Sequence, residues 1–349
     1  MQINFQQAVN LVKTCGHNVT FLFQGSPGQA KSSILSALAS HMPDYLPCYI
    51  DMANIDLGDC AMPVVDRDRM VTNYAPNARF GIYPGQTRPV IIMLDELGKA
   101  ARPIMNLMLP LILERRLGDV ALPPGSIVFA TTNLATDGVG DNIPSHAMNR
   151  MTVLDYANID CDSWLVWAAA NDVAPEVMAF AKQYPQCFDR YDQADHDNGY
   201  IFNPLRGQTK AFTSPRSLAK ASHLIAARDV LGEALLPALT GTIGESAARD
   251  LDAMVRLGDS IPSFESIIRS PETAKLPEGV GASFLMAYMC AGRVKEDTMD
   301  AVMTYVGRWT SFESVALFIS TIAANATKVR FAIKNRAFTQ QAAKLGKYF

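Results

Sequence analysis

The chain has 349 residues, 49% hydrophobic and 19% charged, with a formal net charge of −3. That length supports two or three domains with a sizeable core, and the composition excludes a disordered chain. The charge gives no global drive toward nucleic acid or an anionic membrane.

In chain order, residues 1 to about 157 alternate helical patterns with short apolar runs. Helices are expected at 4–14, 31–41 and 101–116, and strands at 19–24, 47–52, 90–95, 126–132 and 151–155. The alternation predicts an α/β fold, a parallel sheet covered on both faces. Leu57 to Arg88 breaks the pattern with Gly58, Pro63, Pro76, Gly81, Pro84 and Gly85. It reads as an insertion or long functional loop.

From about 158 to 257 the pattern is helical, at 162–171, 175–183, 215–230 and 244–257, around a polar loop from Asp189 to Gly207. Ile261 to Val280 reads as a linker. Helices are then expected at 281–291, 296–306, 311–325 and 330–345. The expected domains are 1–157, 158–257 and 258–349.

Six scattered cysteines include no C-x-x-C pair, so neither a zinc site nor a disulfide framework follows. Met1 to Gln7 lack the basic start and apolar run of a signal peptide. No apolar stretch reaches the roughly 18 residues needed to cross a bilayer. A cytoplasmic protein without membrane partners is the expectation.

Three segments carry chemistry. Val19 to Phe23 lead into Gly25-Ser26-Pro27-Gly28-Gln29-Ala30-Lys31-Ser32-Ser33. A strand, a glycine-containing turn and a helix start make a phosphate-binding loop, close to G-x-x-x-x-G-K-[ST] with Ala30 at the last glycine. Backbone N–H groups would cradle phosphate oxygens, Lys31 would reach the β/γ-phosphates, and Ser32 would ligate Mg²⁺. Ala30 keeps the backbone donor provided its φ is negative. An ordinary glycine/proline turn is the plainer alternative.

The second segment is Ile91-Ile92-Met93-Leu94-Asp95-Glu96. Two acids ending a buried strand are costly unless paired. Parallel sheets bind ligands at the carboxyl ends of their strands. Asp95 would hold the Mg²⁺ shell and Glu96 would polarise the attacking water. The third segment, Ile127 to Thr132, ends in Asn133. Asn133 either positions the same water or simply forms a turn.

In this order and spacing, Gly25–Ser32, Leu94-Asp95-Glu96 and Asn133 resemble the Walker A, Walker B and sensor-1 motifs of AAA+ ATPases. Two further segments resemble the MoxR branch. These are Asn142 to Arg150, ending in Asn-Arg, and Thr213-Ser214-Pro215-Arg216, like a sensor-2 motif. The insertion before Walker B, with Asp56-Leu57-Gly58 and Pro63, is similar too, as is Asp95-Glu96-Leu97-Gly98-Lys99-Ala100. The resemblance covers roughly residues 5 to 257.

It implies an AAA+ P-loop NTPase core, an α-helical lid and a helical C-terminal section. It also implies Mg²⁺-dependent ATP hydrolysis in a ring, a hexamer by analogy with relatives. Arg150 would be an arginine finger reaching a neighbour's γ-phosphate, or else a cation ending its own helix. Arg115 and Arg116 are second candidates for the finger. Arg216 would contact nucleotide in cis, or else be a surface arginine. The resemblance further implies a client protein and a partner with a von Willebrand factor A domain. Asp56 to Pro63 are the candidates for touching the client; a packed surface loop is the alternative.

Beyond Ser314 the chain holds Lys328, Arg330, Lys334, Arg336, Lys344 and Lys347 and no acid. Such a run is a solvated helical face or a contact for nucleic acid or an acidic partner. A nucleic-acid motor or loader is therefore the alternative function. A scaffold that holds nucleotide without turnover is a third.

Overall fold

Runs such as Val90-Ile91-Ile92-Met93-Leu94 offer water no polar side, so both faces need cover. The computed structural model describes residues 2–134, 143–191, 198–204 and 210–346. It divides into two compact units, Met1–Asn158 and Ile159–Phe349.

The first unit begins β1 (Gln2–Ile3), α1 (Phe5–Cys15), β2 (Phe21–Gln24), α2 (Ser33–His41) and β3 (Leu46–Asp51). It continues α3 (Leu57–Cys60), β4 (Ala61–Asp66), β5 (Val71–Pro76), β6 (Val90–Asp95) and α4 (Arg102–Glu114). It ends β7 (Arg116–Leu117), β8 (Val120–Ala121), β9 (Ile127–Thr132), α5 (Ser145–Met148) and β10 (Thr152–Tyr156). Six strands pair in parallel in the order β1-β10-β2-β9-β6-β3.

Side chains alternate across this sheet with the period of two that a strand imposes. Leu22, Ile92, Leu94, Val128 and Ala130 join α4 in one cluster, whereas Phe21, Phe23, Ile91, Met93 and Phe129 join α1 and α2 in the other. β6 and β9 are buried along their whole length. The strands expected at 19–24, 47–52, 90–95, 126–132 and 151–155 all form within two residues of those ends. β2 lies centrally, with β9 between it and β6. The result is a parallel α/β sheet with helices on both faces, and among the described residues only helices follow it.

The stretch 57–88 is not simply a loop. Asp56 caps α3 through a reciprocal pair with Asp59, and β4 and β5 then form an antiparallel hairpin. Pro63 argued against a strand there, yet a two-stranded sheet is all edge and tolerates proline. Both faces of the hairpin are wet: Met62, Val64, Val65, Val71 and Tyr74 are all exposed. A second small hairpin, β7–β8, touches the first. Asp119 accepts from Tyr74 N at 2.6 Å through its carboxylate and donates its own N–H to Tyr74 O at 3.3 Å.

The second unit is helical among the described residues: α6 (Cys161–Ala170), α7 (Pro175–Gln183), α8 (Pro215–Ala226), α9 (Arg228–Leu231), α10 (Leu235–Ile243) and α11 (Glu245–Ser260). It continues α12 (Phe264–Arg269), α13 (Val280–Arg293), α14 (Met299–Val306), α15 (Phe312–Ala324), α16 (Ala326–Ala332) and α17 (Arg336–Leu345). The linker reading of Ile261 to Val280 missed α12. Ser263 caps it, and Phe264 and Ile267 sink into the C-terminal cluster. α13 serves two clusters: Phe284, Leu285 and Tyr288 face one, and Met286, Cys290 and Ala291 the other. The helix expected at 330–345 is broken by Asn335, which caps α17; α16, capped by Asn325, starts earlier, at Ala326. The polar loop from Asp189 to Gly207 falls partly outside the described residues, as do Asn142 and Lys347.

Among the described residues no single helix is long and apolar enough to cross a membrane. α15 and α16 pass that test only as a pair, across a bend of 114°.

Candidate active site

The loop between β2 and α2 is shaped by contacts at both ends. Gly25 presses on β10, where a Cβ would stand 2.9 Å from Tyr156 O. Its N–H donates to Thr132 O at 3.3 Å. Gly28 has φ +77° and Ala30 φ +54°. The condition of a negative φ at Ala30 is therefore not met. Ala30 occupies the left-handed region that the missing glycine would enter freely, at a steric cost of about 1–2 kcal/mol.

Lys31 is buried and folds across the loop. Its Nζ donates to Gly25 O at 2.5 Å, Ser26 O at 2.8 Å and Asn133 Oδ1 at 3.1 Å. Ser32 sits at the N-cap of α2 but its side chain caps nothing. Its hydroxyl instead donates to Asp95 Oδ2 at 3.0 Å. Ser33 N–H bonds Ala30 O at 2.9 Å, which starts the helix. Ser26, Pro27, Gly28 and Gln29 complete the turn, and Gln29 is buried.

Asp95 closes β6 as a buried carboxylate, and three hydroxyls satisfy it. Besides Ser32, Tyr49 Oη donates to Oδ2 at 2.8 Å and Thr131 Oγ1 donates to Oδ1. Tyr49 escaped the sequence reading. Its signal was a phenol two residues before the end of a strand that pairs directly with β6, Tyr49 lying opposite Met93. Desolvation, the Asp95 hydrogen bond and nearby carboxylates push the Tyr49 phenol well above its ordinary pKa, so it remains a donor.

Glu96 follows in a left-handed backbone, φ +53° and ψ +41°. Its Oε2 lies 2.5 Å from Lys99 Nζ. Gly98 N–H donates to Thr132 Oγ1 at 3.3 Å, tying this turn to β9. Asn133 is buried just past β9. Lys31, Ser32, Asp95 and Asn133 thus meet at the carboxyl edge of three adjacent strands, with Glu96 beside them. A hydroxyl plus a carboxylate suits Mg²⁺, which keeps waters and phosphate oxygens as its other ligands. Among the described residues no group of three or more His, Cys, Asp or Glu could hold a metal by itself.

The arginines divide. Arg115 is structural: it ends α4 at φ +56° and donates to Thr20 Oγ1 at 2.7 Å, Gly16 O at 3.1 Å and Ile112 O. Burial lowers its pKa. That removes it as a second candidate for the finger. Arg116 is exposed and bonds Gly118 O at 3.2 Å. Arg150 donates to His146 O at 2.7 Å, capping its own short helix α5, and joins none of the groups above. Arg216 lies exposed in the first turn of α8, behind the capping box of Ser214 and Ser217. Lys328 from the basic tail is spent on α13, donating to Ala291 O and Gly292 O at 2.7 and 2.5 Å. Lys334 pairs with Glu296 at 3.1 Å.

A scan against protein-family models finds no match, and neither does a search of curated proteins. Solved structures do resemble the chain. The RuvB Holliday junction branch migration motor of Thermotoga maritima is 13% identical at TM-score 0.38, over 87% of this chain and 86% of that one. A candidate ATPase from Cytophaga hutchinsonii is 14% identical at TM-score 0.35, over 72% of this chain and 88% of that one. Similarity at this level adds nothing to what the strand order and site geometry already give.

Proposed function

We propose that the chain is a Mg²⁺-dependent AAA+ ATPase of MoxR-like type that works as a ring, a hexamer by analogy, and remodels a client protein. The observation that carries this reading is the meeting of Lys31, Ser32, Asp95 and Asn133. Ser32 touches Asp95 at 3.0 Å and Lys31 touches Asn133 at 3.1 Å. An ordinary turn has no reason to bring these four types to one sheet edge.

In this reading the loop amides and Lys31 hold the β/γ-phosphates, and Asn133 places the attacking water. Glu96 takes a proton from the water as its oxygen bonds the γ-phosphorus. The bond to the leaving β-phosphate oxygen breaks. Mg²⁺, held through Ser32 and Asp95, supplies positive charge against the phosphates. Arg150 leaves its His146 contact to reach the nucleotide of the next subunit, and Arg216 senses nucleotide from the helical section. The exposed β4–β5 hairpin bears on the client. A partner with a von Willebrand factor A domain belongs to the reading through the MoxR resemblance.

The test is a set of ATPase assays. Glu96→Gln should retain ATP and lose turnover. Arg150→Ala should be inactive and be partly rescued when mixed with Lys31→Ala. Wild-type turnover in the first, or no rescue at any ratio in the second, removes the corresponding role. Strong, salt-sensitive stimulation by DNA or RNA would replace client remodelling with a nucleic-acid motor.

A further inference from the structure

The second unit holds a cavity of about 160 Å³ that the nucleotide chemistry leaves unused. α6, α13 and α15 each end at it, and α7 and α16 each begin there. Ala168, Val173 and Met178 give it a buried apolar wall. A cavity of about 150 Å³ accepts a molecule the size of benzene, so this one has room for a branched aliphatic side chain. Apolar walls with a few placed polar groups are the usual make-up of a small-molecule site.

The polar groups here are two cations and two acceptors. Lys328 is half-buried, and two of its three ammonium hydrogens go to Ala291 O and Gly292 O at 2.7 and 2.5 Å. Among the described residues the third has no partner. Burial lowers the Lys328 pKa, the response of an ammonium short of counter-charge. Arg293 also lines the cavity and is held only loosely, 3.7 Å from Glu265. Asp172 acts on Lys328 through space, yet the two form no ion pair. Its backbone is set at φ +52°, in the turn that Val173 N–H seals by donating to Ala168 O at 3.1 Å. Thr321 gives its hydroxyl proton to Leu317 O at 2.6 Å, so toward a ligand its oxygen can only accept.

Opposite charges that share a cavity without touching leave a gap for a molecule that carries both. A plain anion would meet Asp172 and the carbonyl ends of three helices, where the dipoles are negative. A plain cation would meet Lys328 and Arg293. A zwitterion escapes both objections. We propose that this cavity binds a free α-amino acid with a small aliphatic side chain, of valine or leucine size. The carboxylate takes the remaining Lys328 N–H and Arg293. The ammonium takes Asp172 and Thr321, and the side chain lies against Val173 and Met178. All of these groups belong to the second unit, so the site stands apart from the ATPase reading.

The experiment is a calorimetric titration of the full chain with L-leucine. Isopentylamine, which lacks the carboxylate, and isocaproate, which lacks the ammonium, are titrated beside it. L-Leucine should bind with a Kd of about 10 µM to 1 mM, in keeping with its roughly nine heavy atoms. Each analogue loses one set of charge-assisted hydrogen bonds and should bind at least about tenfold more weakly. Asp172→Asn suits the left-handed turn, because asparagine enters that region readily. It should retain the wild-type Tm, weaken L-leucine about tenfold and leave isocaproate no weaker than before. Absence of heat with L-leucine at millimolar concentration overturns the proposal. So does isocaproate binding as tightly as L-leucine, or an Asp172→Asn chain that binds L-leucine like wild type.

Discussion

Ser32 Oγ lies 3.0 Å from Asp95 Oδ2, across 63 positions of sequence. β9 lies between β2, whose following loop leads to Ser32, and β6, which ends in Asp95, so that loop reaches past the end of β9 to meet β6. Asn133, just past the end of β9, bonds Lys31. Three strands are thus stitched at one edge by side chains that would all be costly to bury alone.

Ala30 gives the first prediction. Its φ of +54° is a glycine conformation. Ala30→Gly removes a steric cost of about 1–2 kcal/mol and restores about 0.4–1 kcal/mol of unfolded-chain entropy. Thermal denaturation should show Tm rising by about 1–3 °C, with ATPase activity retained. A lower Tm would mean that the methyl group packs usefully in the loop.

Tyr49 gives the second. Tyr49→Phe leaves Asp95 with Ser32 and Thr131 but without its third hydroxyl. Partners that orient a metal ligand are worth about 10–100-fold in metal affinity. The Mg²⁺ concentration for half-maximal hydrolysis should rise by about tenfold, at nearly unchanged Tm. An unaltered Mg²⁺ titration would reduce Tyr49 to a surface residue that happens to lie nearby.

Arg115 gives the third. Arg115→Ala strips donors from Gly16 O, Ile112 O and Thr20 Oγ1. The loss should be about 2–4 kcal/mol, visible in a denaturant titration. Arg150→Ala, which removes only an exposed cap, should stay within about 1 kcal/mol of wild type. Equal destabilisation of the two would contradict the three partners of Arg115 against the one of Arg150.

Much of this site was legible because buried parallel strands announce themselves. Val90 to Leu94 and Ile127 to Thr132 have no other stable home, and the polar residues ending them fall at the ligand edge by necessity. Tyr49 was not legible, because its role depends on the register of β3 against β6, which no local pattern encodes. Arg115 looked like a candidate for catalysis until its hydrogen bonds were seen, since charge type says nothing about which carbonyls lie in reach. The β4–β5 hairpin was obscured by Pro63 and by strands wet on both faces, which lack the usual alternation. Lys99 stood in plain view in the sequence, but its pairing depends on the left-handed turn at Glu96.

The tip of that hairpin reads Asp66-Arg67-Asp68-Arg69, two charges of each sign beside the exposed Met70. Alternating charges flanking apolar strands act as gatekeepers against edge-to-edge aggregation. They also cancel, so the tip draws neither an acidic nor a basic partner from a distance. If the hairpin bears on a client as proposed, that client is chosen by greasiness and shape at contact, at a pace set by collision rather than by electrostatic steering.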